Sequence, residues 1–330
     1  MSSFKDFFIT ILTAGRFYSV PISIFAWSVP FFYCSLGGGN IFYGLIALIA
    51  IVFLQMGVNS FDDVIDYIKE RNAINKGYKT DFDFQEGKCI CIFTGKLTLK
   101  QYFFVSMLFF LVGLLAGIFF FNIYGLKLLY VVIPTAILCI LYPFCSYIGL
   151  GEIVVGIIYS PLLYLGVNIV MSGSYDFNIL KFSISTALLT IAILHNHMLL
   201  DYKLDTSSRK ITLCRISGNQ RNALILLILL IVFAYLNLIF IFINENYNFF
   251  YLIPLLSIPQ AIVLIRVMNL HIIDPDKKVE YNIFMGNMSA VKKAPAGQQN
   301  FLMKFLLAQN LLTAFTIFLC LSIILDKVCT

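Results

Sequence analysis

Nine apolar runs, at about 17–36, 41–58, 101–121, 124–145, 150–172, 182–200, 222–243, 249–268 and 303–325, dominate this chain of 330 residues. Each is long enough to cross roughly 30 Å of hydrocarbon as a helix, which takes about 20 residues. In that medium every backbone N–H and C=O must be paired within the protein, so only helices and closed barrels can span it. A barrel would alternate apolar and polar residues in segments of about ten, whereas these runs are continuous. The chain therefore reads as an all-α, multi-pass transmembrane helical bundle, one membrane-embedded domain over residues 1–330. Composition agrees: charged residues are 12% of the total and mean hydropathy is +0.90, whereas soluble domains carry about a quarter charged residues.

Basic residues set the expected orientation. With the N-terminus in the cytoplasm, Lys5, Arg16 and the loops after spans two, four, six and eight, with the span ends that adjoin them, hold 20 of the 23 Lys and Arg, leaving Lys127, Lys181 and Lys327 outside. By the positive-inside rule, the polar stretches 59–100 and 201–221 face the cytoplasm, most simply of a bacterial cytoplasmic membrane. The net charge of +6 expresses this loop bias and calls for no nucleic-acid partner. Residues 1–15 set Phe4, Phe7, Phe8 and Ile11 against Lys5 and Asp6, the pattern of a helix lying in the interface, and no cleavable signal is expected. The eight cysteines are scattered. Their one close pair, Cys89-Ile-Cys91, lacks the spacing of a zinc or redox motif. Loop 269–302 carries Asp274-Pro-Asp276-Lys277-Lys278 and Lys292-Lys293 with no chemical constellation, and no protein partner is expected.

Two acidic clusters close apolar runs. On a helix, Asn59, Asp63 and Asp66 fall at i, i+4 and i+7 and share a face. Far downstream, His197, Asp201 and Asp205 are spaced four and four. A carboxylate costs about 2.5–3.5 kcal/mol at a bilayer centre and less near its edges, so such groups mark function. Magnesium takes hard oxygen ligands, commonly one or two carboxylates plus substrate phosphates. Two facing carboxylate ledges flanked by Lys69 and Arg71 on one side and Arg209 and Lys210 on the other suit a diphosphate. In a membrane the diphosphate expected is a polyprenyl one, its tail among the helices.

Asp63, Asp66, Asp201 and Asp205 are the candidate metal ligands for Mg2+ or Mn2+, and Asn59 joins them as a catalytic candidate. Tyr142 and Tyr147 could face a cation with their rings or anchor the interface. Pro143 is expected to end its helix, and Glu152 is either an interfacial carboxylate or part of the mouth. His197 is favoured over His195, which points elsewhere on the helix. An ion-coupled transporter is the alternative from another class, but its charges would gather near the midplane.

These residues resemble the UbiA superfamily of intramembrane aromatic prenyltransferases, in particular the 1,4-dihydroxy-2-naphthoate polyprenyltransferases of menaquinone synthesis. Asn59-x-x-x-Asp63 is similar to the first motif of that family, and Asp201-x-x-x-Asp205 with Lys210-x-Thr-Leu213 and Gly218 to the second. Gly95-Lys-Leu-Thr-x-Lys-Gln101 resembles the entry to the third helix, Tyr147-x-Gly-Leu-Gly-Glu152 the segment before the fifth, and Arg16-x-x-x-x-Pro21 the start of the first. Ser60, Ile148, His197 and Leu200 depart from the pattern. The resemblance implies Mg2+-dependent transfer of a polyprenyl group from its diphosphate to a small aromatic acceptor, with Arg16, Lys69, Arg71, Tyr142, Tyr147, His197, Arg209 and Lys210 as substrate contacts. A 4-hydroxybenzoate enzyme, another acceptor, or a catalytically lapsed homologue are the alternatives within the family.

Overall fold

The computed structural model describes residues 4–75, 89–202, 211–245, 248–294 and 299–329. A short helix α1 (Phe4–Ala14) precedes α2 (Val20–Leu36), α3 (Ile41–Asn75), α4 (Leu99–Tyr124), α5 (Leu126–Cys145) and α6 (Gly151–Ser172). Then follow α7 (Ile179–Leu200), α8 (Gln220–Glu245), α9 (Phe249–Ile273) and α10 (Gln299–Cys329). Among the described residues all regular structure is helical, and nine helices, α2 to α10, are long and apolar enough to cross a membrane. The protein is an integral, multi-pass membrane protein.

The expected spans and the observed helices coincide within a few residues at most ends, with one large difference. The second span was expected to stop near residue 58, yet α3 continues to Asn75. Hydropathy falls where the carboxylates begin, but a helix pairs its own backbone in either medium and has no reason to end there. The expectation at Pro143 is corrected as well: α5 runs through it to Cys145. Proline forfeits one hydrogen bond toward the preceding turn, a loss that a helix near its end can bear without stopping at that residue.

Small residues bring α3 and α4 together. A Cβ at Gly113 would run into Leu54, and one at Gly57 would press on the Phe110 ring. Close backbone approach of this kind replaces the hydrophobic drive that lipid does not supply. At its start α4 has a capping box: Gln101 N–H donates to the Thr98 hydroxyl at 3.3 Å, and Thr98 N–H to the Gln101 side chain at 2.9 Å.

Three apolar cores result. One gathers α7 to α10 around residues such as Leu189, Leu227, Leu264 and Phe315, a second joins α2 to α6 around Trp27, Phe120 and Val167, and a third packs α1 on α3 and α4 around Tyr102. The exposed Phe7, Phe8 and Ile9 of α1 face away from that third core. That distribution is the one expected of a helix lying at the interface.

Candidate active site

The first acidic cluster is built around Asp63, which is fully buried. One of its oxygens accepts from the Arg16 guanidinium, and the other accepts from the Tyr102 hydroxyl at 2.7 Å and from the Cys89 N–H at 3.1 Å. Asp62 lies 3.4 Å from the same guanidinium. Among the described residues, Arg16 and Cys89 are the only non-glycine residues with positive φ, both at 51°, and both serve Asp63. Backbone held in this region costs about 1–3 kcal/mol and tends to persist where a functional arrangement demands it. Burial opposes the charge of Arg16. Asp63, followed by Tyr18 and Asp62, outweighs burial and holds the guanidinium pKa well above its ordinary value.

Along α3 the other polar side chains take separate partners. Asn59 donates to the Ser19 hydroxyl at 3.0 Å, and one turn earlier Gln55 donates to the same hydroxyl at 2.9 Å and accepts from Ser23. Asp66 accepts from the Tyr147 hydroxyl at 2.9 Å, and the Lys69 ammonium stands 3.3 Å above the centre of the Tyr147 ring. Arg71 is exposed farther along the helix.

The second cluster forms at the end of α7. Asp201 is 4% exposed and approaches His197 Nε2 at 3.5 Å, while the His197 ring meets Phe301 and Phe305 of α10 edge to face. His195, on the opposite side, is buried against the Ala223 carbonyl at 2.8 Å and the Cys214 thiol, clear of the site. Asp205, Arg209 and Lys210 lie outside the described residues. Glu152 is buried and accepts from Leu213 N–H at 3.1 Å, so it braces the chain downstream of the second motif.

The two clusters meet across one cavity of about 1690 Å3. Arg16, Asn59, Tyr142, His197 and Asp201 line its polar end, and apolar residues such as Leu54, Phe110, Phe120, Leu128 and Val131 line the rest. Asp63 and Asp66 stand behind Arg16 and Asn59 and do not line it. Among the described residues no group of three or more His, Cys, Asp or Glu is gathered closely enough to hold a metal ion. Asp201 nonetheless brings to the cavity the hard carboxylate oxygen that magnesium takes, with Asp63 behind it across Arg16.

A sequence model of the UbiA prenyltransferase family matches residues 19–288. The chain belongs to the UbiA prenyltransferase family. No curated protein matches it. Solved structures similar to this UbiA chain include a digeranylgeranylglyceryl phosphate synthase, at 17% identity and a TM-score of 0.58, covering 95% of this chain and 98% of that one. A UbiA homologue from Aeropyrum pernix K1 is similar at 14% identity and a TM-score of 0.60, covering 92% and 98%. A UbiA homologue from Archaeoglobus fulgidus bound to GPP and Mg2+ is similar at 11% identity and a TM-score of 0.55, covering 94% and 99%. At such identities these neighbours speak for the fold.

Sequence reading missed several residues of this UbiA site. Asp62 is one of them, and its signal was local: it stands at i−4 from Asp66 and so shares its side of the helix. Tyr102 and Cys89 carried no signal at all, because their contact with Asp63 spans 39 and 26 positions.

Proposed function

We propose that this protein transfers a polyprenyl group from its diphosphate to an aromatic acceptor with Mg2+ as cofactor, Mn2+ substituting, and that the acceptor is 1,4-dihydroxy-2-naphthoate, as in menaquinone synthesis. The observation that carries the reading is a cavity that joins a mouth of carboxylate, guanidinium and imidazole to a long apolar interior. A lipid diphosphate is divided in the same way. The Archaeoglobus homologue with GPP and Mg2+ supports both the substrate class and the cofactor.

Asp201 would hold the ion from the cavity wall, and Asp63 and Asp66 would join it, with Asp205, by giving up Arg16 and Tyr147. When bound it would offset the charge that leaves with the diphosphate. Arg16 lines the cavity and is already drawn out of ordinary backbone geometry, so an incoming diphosphate competes with Asp63 for its fork of donors. The prenyl tail exchanges one hydrocarbon setting for another when it enters from the bilayer, so affinity rests on the head group. Tyr142, in the wall, would turn its aromatic face toward the allylic carbon as it becomes positive, whereas Tyr147, expected to do the same, stands outside the cavity with Lys69 over its ring and its hydroxyl on Asp66. The apolar lining keeps water from that carbon until the acceptor ring attacks it.

The naphthoate assignment rests on the likeness of Tyr147-x-Gly-Leu-Gly-Glu152. The brace from Glu152 to Leu213 sets that segment beside the second motif. The test is a vesicle assay with several prenyl diphosphates and three acceptor classes: dihydroxynaphthoate, hydroxybenzoate and a glyceryl phosphate. Product with the naphthoate alone is the expected result. Product with another class moves the acceptor assignment, and none with diphosphate binding intact identifies a lapsed homologue.

A further inference from the structure

Between α9 and α10 the chain makes a turn, Tyr281 to Asn287, whose side chains divide sharply. Met285 and Met288 are buried in the core of α7 to α10, whereas Ile283 is 80% exposed, Tyr281 61% and Phe284 50%. Three such side chains in four residues would be a poor choice for a loop in water. Depth accounts for them. The turn is pinned to Asn310, whose amide donates to the Met285 carbonyl at 2.8 Å and the Asn287 carbonyl at 3.1 Å. Asn310 lies five residues further into α10 than Phe305, which touches His197 at the polar mouth. At 1.5 Å per residue the turn therefore sits about 8 Å deeper than that mouth.

The backbone is prepared for such a place. The Gly286 carbonyl, between the two held by Asn310, accepts from the Tyr281 hydroxyl at 3.3 Å, so three consecutive carbonyls are capped by side chains. Phe284 N–H and Ser289 N–H donate to the side chains of Asn282 and Asn287, each at 3.0 Å. Gly286 has φ 76°, and a Cβ there would crowd Asn310. Irregular backbone does not stand exposed in hydrocarbon, so these caps hold the backbone of the turn on the protein side while its exposed side chains project outward. Lys292 and Lys293 follow the turn and are exposed, as are Lys277 and Lys278 before it. Their stems can reach back to the head-group layer.

We infer that Tyr281–Phe284 is an interfacial anchor: its backbone stays at the boundary of protein and head groups, and the side chains of Ile283 and Phe284 dip among the acyl chains of the leaflet on the carboxylate side. It holds the α9–α10 connection against the wall that carries Phe301 and Phe305.

The experiment places a tryptophan at the tip, Ile283→Trp or Phe284→Trp, in the full chain reconstituted into phosphatidylcholine vesicles with brominated acyl chains. The one native tryptophan, Trp27, is buried, and the unmodified protein supplies its background. The added fluorescence should be blue-shifted, should lose most of its intensity to brominated lipid, and should resist aqueous acrylamide. Quenching by acrylamide and not by brominated lipid would show a hydrated loop and overturn the inference. Protection from both quenchers would mean that protein covers the tip, and would overturn it equally. Both substituted positions are exposed, so the variants should fold.

Discussion

Arg16 and Asp63, 47 positions apart, form an ion pair in which the arginine backbone is left-handed and the carboxylate is fully buried. Removing one partner of a buried pair leaves the other uncompensated, a loss of about 3–5 kcal/mol. Arg16→Ala should therefore lower the melting temperature in detergent markedly, and Arg16→Ala with Asp63→Asn should recover much of the loss. A double variant no more stable than Arg16→Ala would show that the pair is not what holds α1 to α3.

Turnover should separate the carboxylates from the loops. Asp63→Ala and Asp201→Ala are expected to lower kcat roughly 10²-fold or more, the scale for one electrostatic stabiliser. Asp276→Ala, remote from the cavity, should stay within about twofold. Chelation should abolish activity, and Mg2+ should restore it. Near-normal turnover in folded Asp63→Ala protein would remove the metal-diphosphate reading.

Tyr147 offers two separable groups, a hydroxyl on Asp66 and a ring under Lys69. Tyr147→Phe keeps the ring and loses the hydrogen bond; Tyr147→Ala loses both. A cation over a ring contributes about 0.5–2 kcal/mol, so the alanine variant should raise KM for the prenyl diphosphate by about two- to thirtyfold, and phenylalanine by less. Equal KM values for the two variants would deny the ring a part in placing Lys69.

Lys210→Ala should raise KM for the prenyl diphosphate with little change in kcat, because a group that holds ground and transition states alike contributes only to binding. A fall in kcat at unchanged KM would assign Lys210 to the chemical step instead.

Orientation is open to cysteine labelling in intact cells. Single cysteines introduced in 67–100 or 201–221 should resist an impermeant reagent from outside, and one beside Gly38 should react. Labelling of either acidic stretch would place the site in the opposite compartment.

How far the sequence reached follows from the range of each interaction. Nine spans, their helical nature and the two acidic clusters were legible because hydrocarbon imposes a length and a backbone rule on every segment separately. Asn59, Asp63 and Asp66 could be set on one face because helical periodicity is local. Local spacing also misled. It put these three on one ledge, whereas only Asn59 reaches the cavity and Asp63 turns to Arg16, Tyr102 and Cys89.

Tertiary structure alone decided which carboxylate pairs with which cation, that Glu152 braces Leu213, and that the turn at Ile283 drops beside Asn310. Each depends on two helices meeting at one depth. Within a single segment, periodicity determines the face a residue presents; the neighbour on that face comes from how the helices pack, and in lipid that packing rests on close contacts such as Gly113 against Leu54, whose partners lie far apart in the chain.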